Sequence, residues 1–118
     1  AAAAGVRRIV VTHPLYQATR LSIDDQVRLA AHPAVCLEYC WSNIALDHIP
    51  IDRYVEAIRA VGPSRALLSS DLGQPSTETV AAGLEAFHRG LVAHGVPEDH
   101  VAEMMIANPH RLLGAPAL

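Results

Sequence analysis

The sequence predicts an α/β fold built from three consecutive parallel βα units. Three observations carry that prediction. Short β-branched or apolar runs alternate with amphipathic stretches of helical period, the strand-then-helix pair recurs about every 30 residues, and glycine, proline or capping residues punctuate the runs. Connections of that length lead to a parallel neighbour through a right-handed crossover. An open doubly wound sheet and a (β/α)8 barrel both contain such units, but a barrel needs roughly 250 residues. The 118 residues are therefore read as one domain, either a small three-stranded sheet or a piece of something larger.

Ala1 to Ala4 before Gly5 reads as the last turn of a helix closed by a left-handed glycine. One turn does not nucleate alone in water, so the chain is expected to begin inside an element and to be truncated on its amino-terminal side. Arg8 to His13 is a β-branched run without polar alternation, the pattern of a strand covered on both faces, and Pro14 ends it. Ser22 with Asp25 three residues on opens a helix whose apolar stripe runs through Ile23, Val27 and Ala30, with Gln26 and Leu29 flanking it.

Val35 to Trp41 is the second strand and alternates more than the first; a loop through Ser42, Asn43 and Asp47 follows. Ile51, Tyr54, Val55 and Ile58 mark a helix closed by Gly62-Pro63, and Ala66 to Ser70 is the third strand. Ser76 is the expected cap of the next helix, which carries Val80, Leu84, Phe87 and Leu91 and stops at Gly95. Pro97 fits a first helical position before Glu98 and Asp99, opening a helix through Val101, Met104 and Met105. Asn108-Pro109 is expected to break that helix, leaving Arg111 to Gly114 as a last turn.

A hydrophobic content of 51% is ample for a core, and no apolar run approaches the roughly 18 to 20 residues that cross a bilayer. No signal-peptide pattern is present, so the expected location is the cytoplasm, without a membrane partner. A net charge of −3 and scattered arginines give no basic stripe with interleaved aromatics, which argues against nucleic acid. Cys36 and Cys40 lie on one face of a strand roughly 13 Å apart, too far to bridge or to share a metal with each other, and read as buried reduced thiols.

In either architecture the reactive groups belong at the carboxyl ends of the strands, which here read His13, then Tyr39 to Trp41, then Asp71. An imidazole and a carboxylate suit zinc, manganese or iron, and a carboxylate can also take a proton from water. Equally, His13 can bond a loop carbonyl and Asp71 can cap a helix, although Ser76 offers a nearer cap. Glu38 sits in an apolar strand where an unpaired carboxylate is costly, so it is expected to pair with an arginine, contact a histidine outside the ligand set or point into a polar barrel interior, a structural salt link being favoured over a ligand. Gln74, after Gly73, either orients a substrate or finishes the turn. His32, His48, His88, His94, His100 and His110 show no ligand-like grouping and read as solvated or locally bonded. No phosphate-cradling glycine loop and no nucleophile elbow is present.

Val10-Val11-Thr12-His13-Pro14, Ser69-Ser70-Asp71-Leu72-Gly73-Gln74 and the closing Met105-Ile106-Ala107-Asn108-Pro109-His110-Arg111-Leu112-Leu113-Gly114 together resemble the last three βα units of an amidohydrolase-superfamily barrel. The resemblance covers nearly the whole chain and implies strands six to eight of a (β/α)8 TIM barrel. It implies that His13 matches a metal-binding histidine ending strand six, and that Asp71 matches the strand-eight aspartate that binds metal and serves as general base. The implied activity is metal-dependent hydrolysis, in which activated water attacks an amide, ester, lactone or phosphoester of a small-molecule substrate. Zinc is the favoured divalent metal, with manganese or iron as alternatives, and Gln74 and Glu38 are the candidate substrate contacts. The family's His-x-His pair and strand-five ligand are not in this sequence, so two ligands stand where a catalytic zinc usually has three. The missing barrel half or a homo-oligomer is therefore expected to complete the site and to cover the open strand edges. A non-catalytic α/β binding or assembly module, a decarboxylase and a TatD-like nuclease are the alternative readings.

Overall fold

A computed structural model describes residues 2–114. Its strands β1 (Ile9–Thr12), β2 (Val35–Cys40) and β3 (Ala66–Ser69) form one parallel sheet in the order β1-β2-β3. Between and after them run α1 (Ile23–Ala30), α2 (Trp41–Ala45), α3 (Ile51–Val61), α4 (Val80–Ala93), α5 (Glu98–Ala102) and α6 (Asn108–Leu113). This is the expected succession of three parallel βα units, consistent with part of a TIM barrel. None of the described helices is long and apolar enough to cross a membrane. Ala2–Ala4 forms a short 3-10 turn before Gly5, whose φ of 81° is left-handed as expected; Ala1 lies outside the described residues.

The sheet has two unlike faces. Val35, Leu37, Tyr39, Ala66 and Leu68 join side chains of α3, α4 and α5 in a single apolar cluster, and Ile9 and Val11 pack against it. The alternate positions lie in rows given by the register: Val10 beside Cys36, Thr12 beside Glu38 and Leu67, and Cys40 beside Ser69. These residues are outside the cluster. One side of the sheet thus carries the helices and the other is mixed, with Thr12, Glu38 and Ser69 among Val10, Leu67 and the two cysteines, as in a segment of a barrel wall. This corrects the expectation that β1 is covered on both faces: it is an edge strand with Val10 39% exposed, because the helices pack on one side only.

Several local expectations change. The capping box of α1 forms as expected, Asp25 N–H donating to Ser22 Oγ at 3.1 Å and Ser22 N–H to Asp25 Oδ2 at 3.3 Å. Its inward residue, however, is Gln26, which is fully buried, while Val27 is exposed. Burial of that amide is tolerated because Nε2 donates to Leu21 O at 3.2 Å and Oε1 accepts from Tyr39 OH at 2.9 Å. The cap of α4 is Thr79, not Ser76: its hydroxyl accepts from Ala82 N–H at 3.2 Å. Ser76 falls in a turn closed by Thr77 bonding to Gln74 O. Val80 then faces out, and Gly83, Phe87 and Leu91 form the buried stripe.

The last helix is not broken at Asn108-Pro109. A π-helical turn over Glu103–Ala107 joins α5 to α6, and Asn108 N–H reaches Glu103 O. Widening the turn by one residue makes room for the Pro109 ring, which has no N–H to donate. Asn108 is 2% exposed and fastens this helical run to the sheet, its Nδ2 donating to Pro63 O and Ala66 O at 2.7 Å each.

Candidate metal centre

Each predicted ligand sits just past the end of a strand. His13 follows β1, and its N–H extends the ladder to Glu38 O at 3.1 Å. Asp71 lies two residues past Ser69, the last residue of β3. Both have left-handed backbones, φ 55° at His13 and 49° at Asp71. Such conformations cost non-glycine residues about 1 kcal/mol or more and turn the side chain sharply away from the strand direction.

The two side chains meet. His13 Nε2 lies 3.4 Å from Asp71 Oδ2, with the side chains 29% and 53% exposed. The strand between them, β2, ends on Cys40, and ligand atoms of His13, Cys40 and Asp71 all lie within 4.8 Å of one another. Among the described residues this is the group of metal-ligating types close enough to share an ion; none of the other six histidines enters it. His32, for example, accepts from Ala34 N–H, and His94 Nδ1 is bonded to Gly90 O.

The segment expected as a loop after β2 is helix α2, and it supplies two supports. Ser42 N–H donates to Ser70 O at 3.0 Å and its hydroxyl donates to Asp71 Oδ2 at 2.8 Å. Asn43 Nδ2 donates to Asp47 Oδ2 at 2.8 Å, an acceptor-only carboxylate, which leaves Asn43 Oδ1 to accept from His13 Nδ1–H at 2.8 Å. In the neutral ring Nε2 is then a bare lone pair aimed at the carboxylate oxygen of Asp71. Two acceptors facing each other at 3.4 Å repel unless a proton or a cation lies between them. Zinc bonds of about 2.1 Å at a tetrahedral angle put two donor atoms about 3.4 Å apart, so the residues fit a divalent ion.

Cys40 was missed as a neighbour of these residues. It is buried, its thiol pushed up to about 12 chiefly by burial, with Glu38 and Asp71 adding to the rise and Ser69 opposing it. Its Sγ lies 3.3 Å from Ser69 Oγ, and its carbonyl accepts from Tyr54 OH at 3.1 Å. The alternation of β2 places Cys40 on the same face as Glu38, level with the ends of its neighbours, which was the available signal. Cys36 is a half-buried free thiol farther down that face.

Glu38 makes no salt link among the described residues. It accepts from Thr12 Oγ1 at 2.7 Å, across the rung that pairs β1 with β2, because the bare face gives its carboxylate a hydroxyl and access to water in place of an arginine. Gln74 is exposed and uses its backbone carbonyl to close the turn to Thr77. A cavity of about 190 Å³, lined by Arg7, Arg8, Arg65 and Arg111 among others, lies at the amino ends of the strands, away from His13 and Asp71. The His13 and Asp71 side chains are instead partly open to solvent.

Neither a family model nor a curated protein matches the chain. Among solved structures it is similar to N-acetyl-D-glucosamine-6-phosphate deacetylase from Mycobacterium smegmatis, an amidohydrolase-superfamily enzyme. The match has 31% identity and a TM-score of 0.62 over 92% of this chain and 32% of that one. The chain thus spans about a third of the length of the structure it matches.

Proposed function

We propose that the chain contributes to a metal-dependent hydrolase of the amidohydrolase type, with His13 and Asp71 as ligands and Asp71 also as general base. The observation that carries this reading is the approach of His13 Nε2 to Asp71 Oδ2 at 3.4 Å from the ends of two separate strands. The likeness to a deacetylase of an N-acetyl sugar phosphate supports the hydrolase class and puts amides first among the amide, ester, lactone and phosphoester substrates. Zinc is the ion proposed, and strands from the remaining barrel half or from a second copy complete the site. The proposed location is the cytoplasm, where Cys36 and Cys40 stay reduced.

A divalent ion held here supplies Lewis acidity toward the substrate's oxygen and makes a nearby water more acidic. The protein groups do the rest. Asn43 holds the tautomer in which His13 Nε2 is the donor atom. Ser42 bonds Asp71 Oδ2, leaving Oδ1 without a hydrogen-bond partner among the described residues and free to take a proton from water and return it to the leaving group. Glu38, on the face that leads to the rim, and Gln74, exposed beyond Asp71, are the proposed substrate contacts.

The test is metal content and amide hydrolysis by the purified full-length protein and by Asp71→Asn and His13→Ala. Bound zinc and turnover that both fall sharply in the variants support the reading. Unchanged metal content and turnover in Asp71→Asn refute it.

A further inference from the structure

We infer that Cys40 is a third protein ligand of the same ion, so that β1, β2 and β3 each contribute one donor and the centre is a Cys-His-Asp set. This rests on the reading of His13 and Asp71 as a metal site and adds what that site selects. Cys40 is the last residue of β2, the strand between the two that carry His13 and Asp71. Its Sγ lies within 4.8 Å of a ring nitrogen of His13 and of a carboxylate oxygen of Asp71. Bonds of about 2.3 Å to sulfur and 2.1 Å to nitrogen or oxygen require donor separations of about 3.6 Å, so closure needs movements of roughly an ångström at most.

The ordinary reading of a buried cysteine is a small apolar filler. The surroundings of Cys40 are in part polar. It is 1% exposed yet stands outside the apolar cluster, with Ser69 Oγ at 3.3 Å and on the face that carries Glu38 and Thr12. Tyr39, its neighbour in sequence, is in that cluster on the opposite face. Ser69 can donate a hydrogen bond to a coordinated sulfur, and the Tyr54 hydroxyl on Cys40 O fixes the backbone from below.

Coordination replaces the S–H bond by an S–metal bond and releases one proton to solvent. One thiolate and one carboxylate then neutralise a divalent ion. A sulfur donor favours zinc, cobalt and cadmium over magnesium, calcium and manganese, which prefer all-oxygen sites. The site is thereby predicted to reject the hard cations even at large excess.

Cobalt(II) loading tests this directly, because thiolate coordination gives a near-ultraviolet charge-transfer absorption that nitrogen and oxygen ligands do not. The expected result is a band in the cobalt-loaded protein that persists in Cys36→Ser and is absent from Cys40→Ser. Zinc affinity in Cys40→Ser should fall by more than the ~100-fold upper end of what losing an outer-shell partner costs. Should Cys40→Ser fold poorly, X-ray absorption at the zinc edge of the unmodified protein gives the same answer: one sulfur scatterer at about 2.3 Å is expected beside the nitrogen and oxygen donors. Cobalt bound without the band, and lost in Asp71→Asn, overturns the role of Cys40 while leaving the metal site intact. Failure to bind cobalt at all overturns both.

Discussion

Replacing Asn108 by alanine should be among the most damaging single changes to this fold. The Asn108 amide is 2% exposed and donates to Pro63 O and Ala66 O at 2.7 Å, while its Oδ1 accepts from Arg111. Truncation strands the carbonyl of Ala66, a fully buried residue, at a cost of about 1–3 kcal/mol, and loses a second, half-exposed bond worth about 0.5–1.5 kcal/mol. The sum, about 1.5–4.5 kcal/mol, is a large part of the roughly 5–15 kcal/mol that holds a domain of ordinary stability together. Equilibrium unfolding in urea measures it, with an unchanged slope as the control that the unfolded state is the same. Asn108→Asp keeps the size and the Arg111 contact but sets an acceptor against two carbonyls, so it should be at least as harmful at neutral pH and should recover in acid, where a protonated carboxyl donates once. A loss in Asn108→Ala smaller than about 0.5 kcal/mol would refute the reasoning, since surface substitutions alone give that much.

Three further outcomes are expected. Asn43→Ala removes the bond that fixes His13 Nδ1, and zinc affinity measured by competition with a chelating dye should fall about 10- to 100-fold while the fold survives. Gly83→Ala would place a methyl 2.3 Å from Leu72 Cδ1 and 2.9 Å from Trp41 Cδ1. Leu72 can swing away, but Trp41 is held by Glu78 and Phe87, so overpacking of about 1–3 kcal/mol should outweigh the gain in helix propensity of about 1 kcal/mol, read as a lower midpoint of thermal unfolding. The Asp25 carboxyl is held below its ordinary range, first by the Ser22 hydroxyl, then by the Ser22 backbone N–H and by Arg28. A carboxyl depressed on folding stabilises above its unfolded pKa and loses that contribution as pH falls through the folded value, so the gap in melting temperature between the unaltered protein and Asp25→Asn should close in acid. A gap independent of pH would show that the cap does not act through charge.

The three strands and the helices α1, α3, α4 and α5 were legible because each carries a period that one buried face imposes. What escaped was set by tertiary contacts. Gln26 took the inward place expected of Val27 because Leu21 O and Tyr39 OH, both supplied by the fold, satisfy its amide. The helix through Pro109 continued because a π turn absorbs the ring, which residue preferences along the chain do not encode. Helix α2 read as a loop because Ser42 and Asn43 are ordinary loop residues. Their roles depend on Asp71 and His13, 29 and 30 residues away in sequence.

The site was legible to the extent that position on a parallel strand is. His13 and Asp71 could be picked out because a strand end is the one place where a polar side chain leaves the core without cost, and in βα units those ends share a rim. A left-handed backbone does not identify such residues by itself, since Arg20 and His48 also have positive φ. At His13 and Asp71 it coincides with bonds that hold the turned conformation: the ladder bond to Glu38 O and Asn43 on one side, Ser42 on the other. Strain of that kind persists only where neighbours over-determine it. The same alternation that buries Leu37 and Tyr39 under the helices sends Glu38 and Cys40 to the opposite face, so the packing of the core and the polarity of the rim are two consequences of one strand register. A one-residue slip of β2 would bury Glu38 in hydrocarbon and carry Cys40 away from His13 and Asp71, so the arrangement that stabilises the sheet is also the one that assembles the candidate centre.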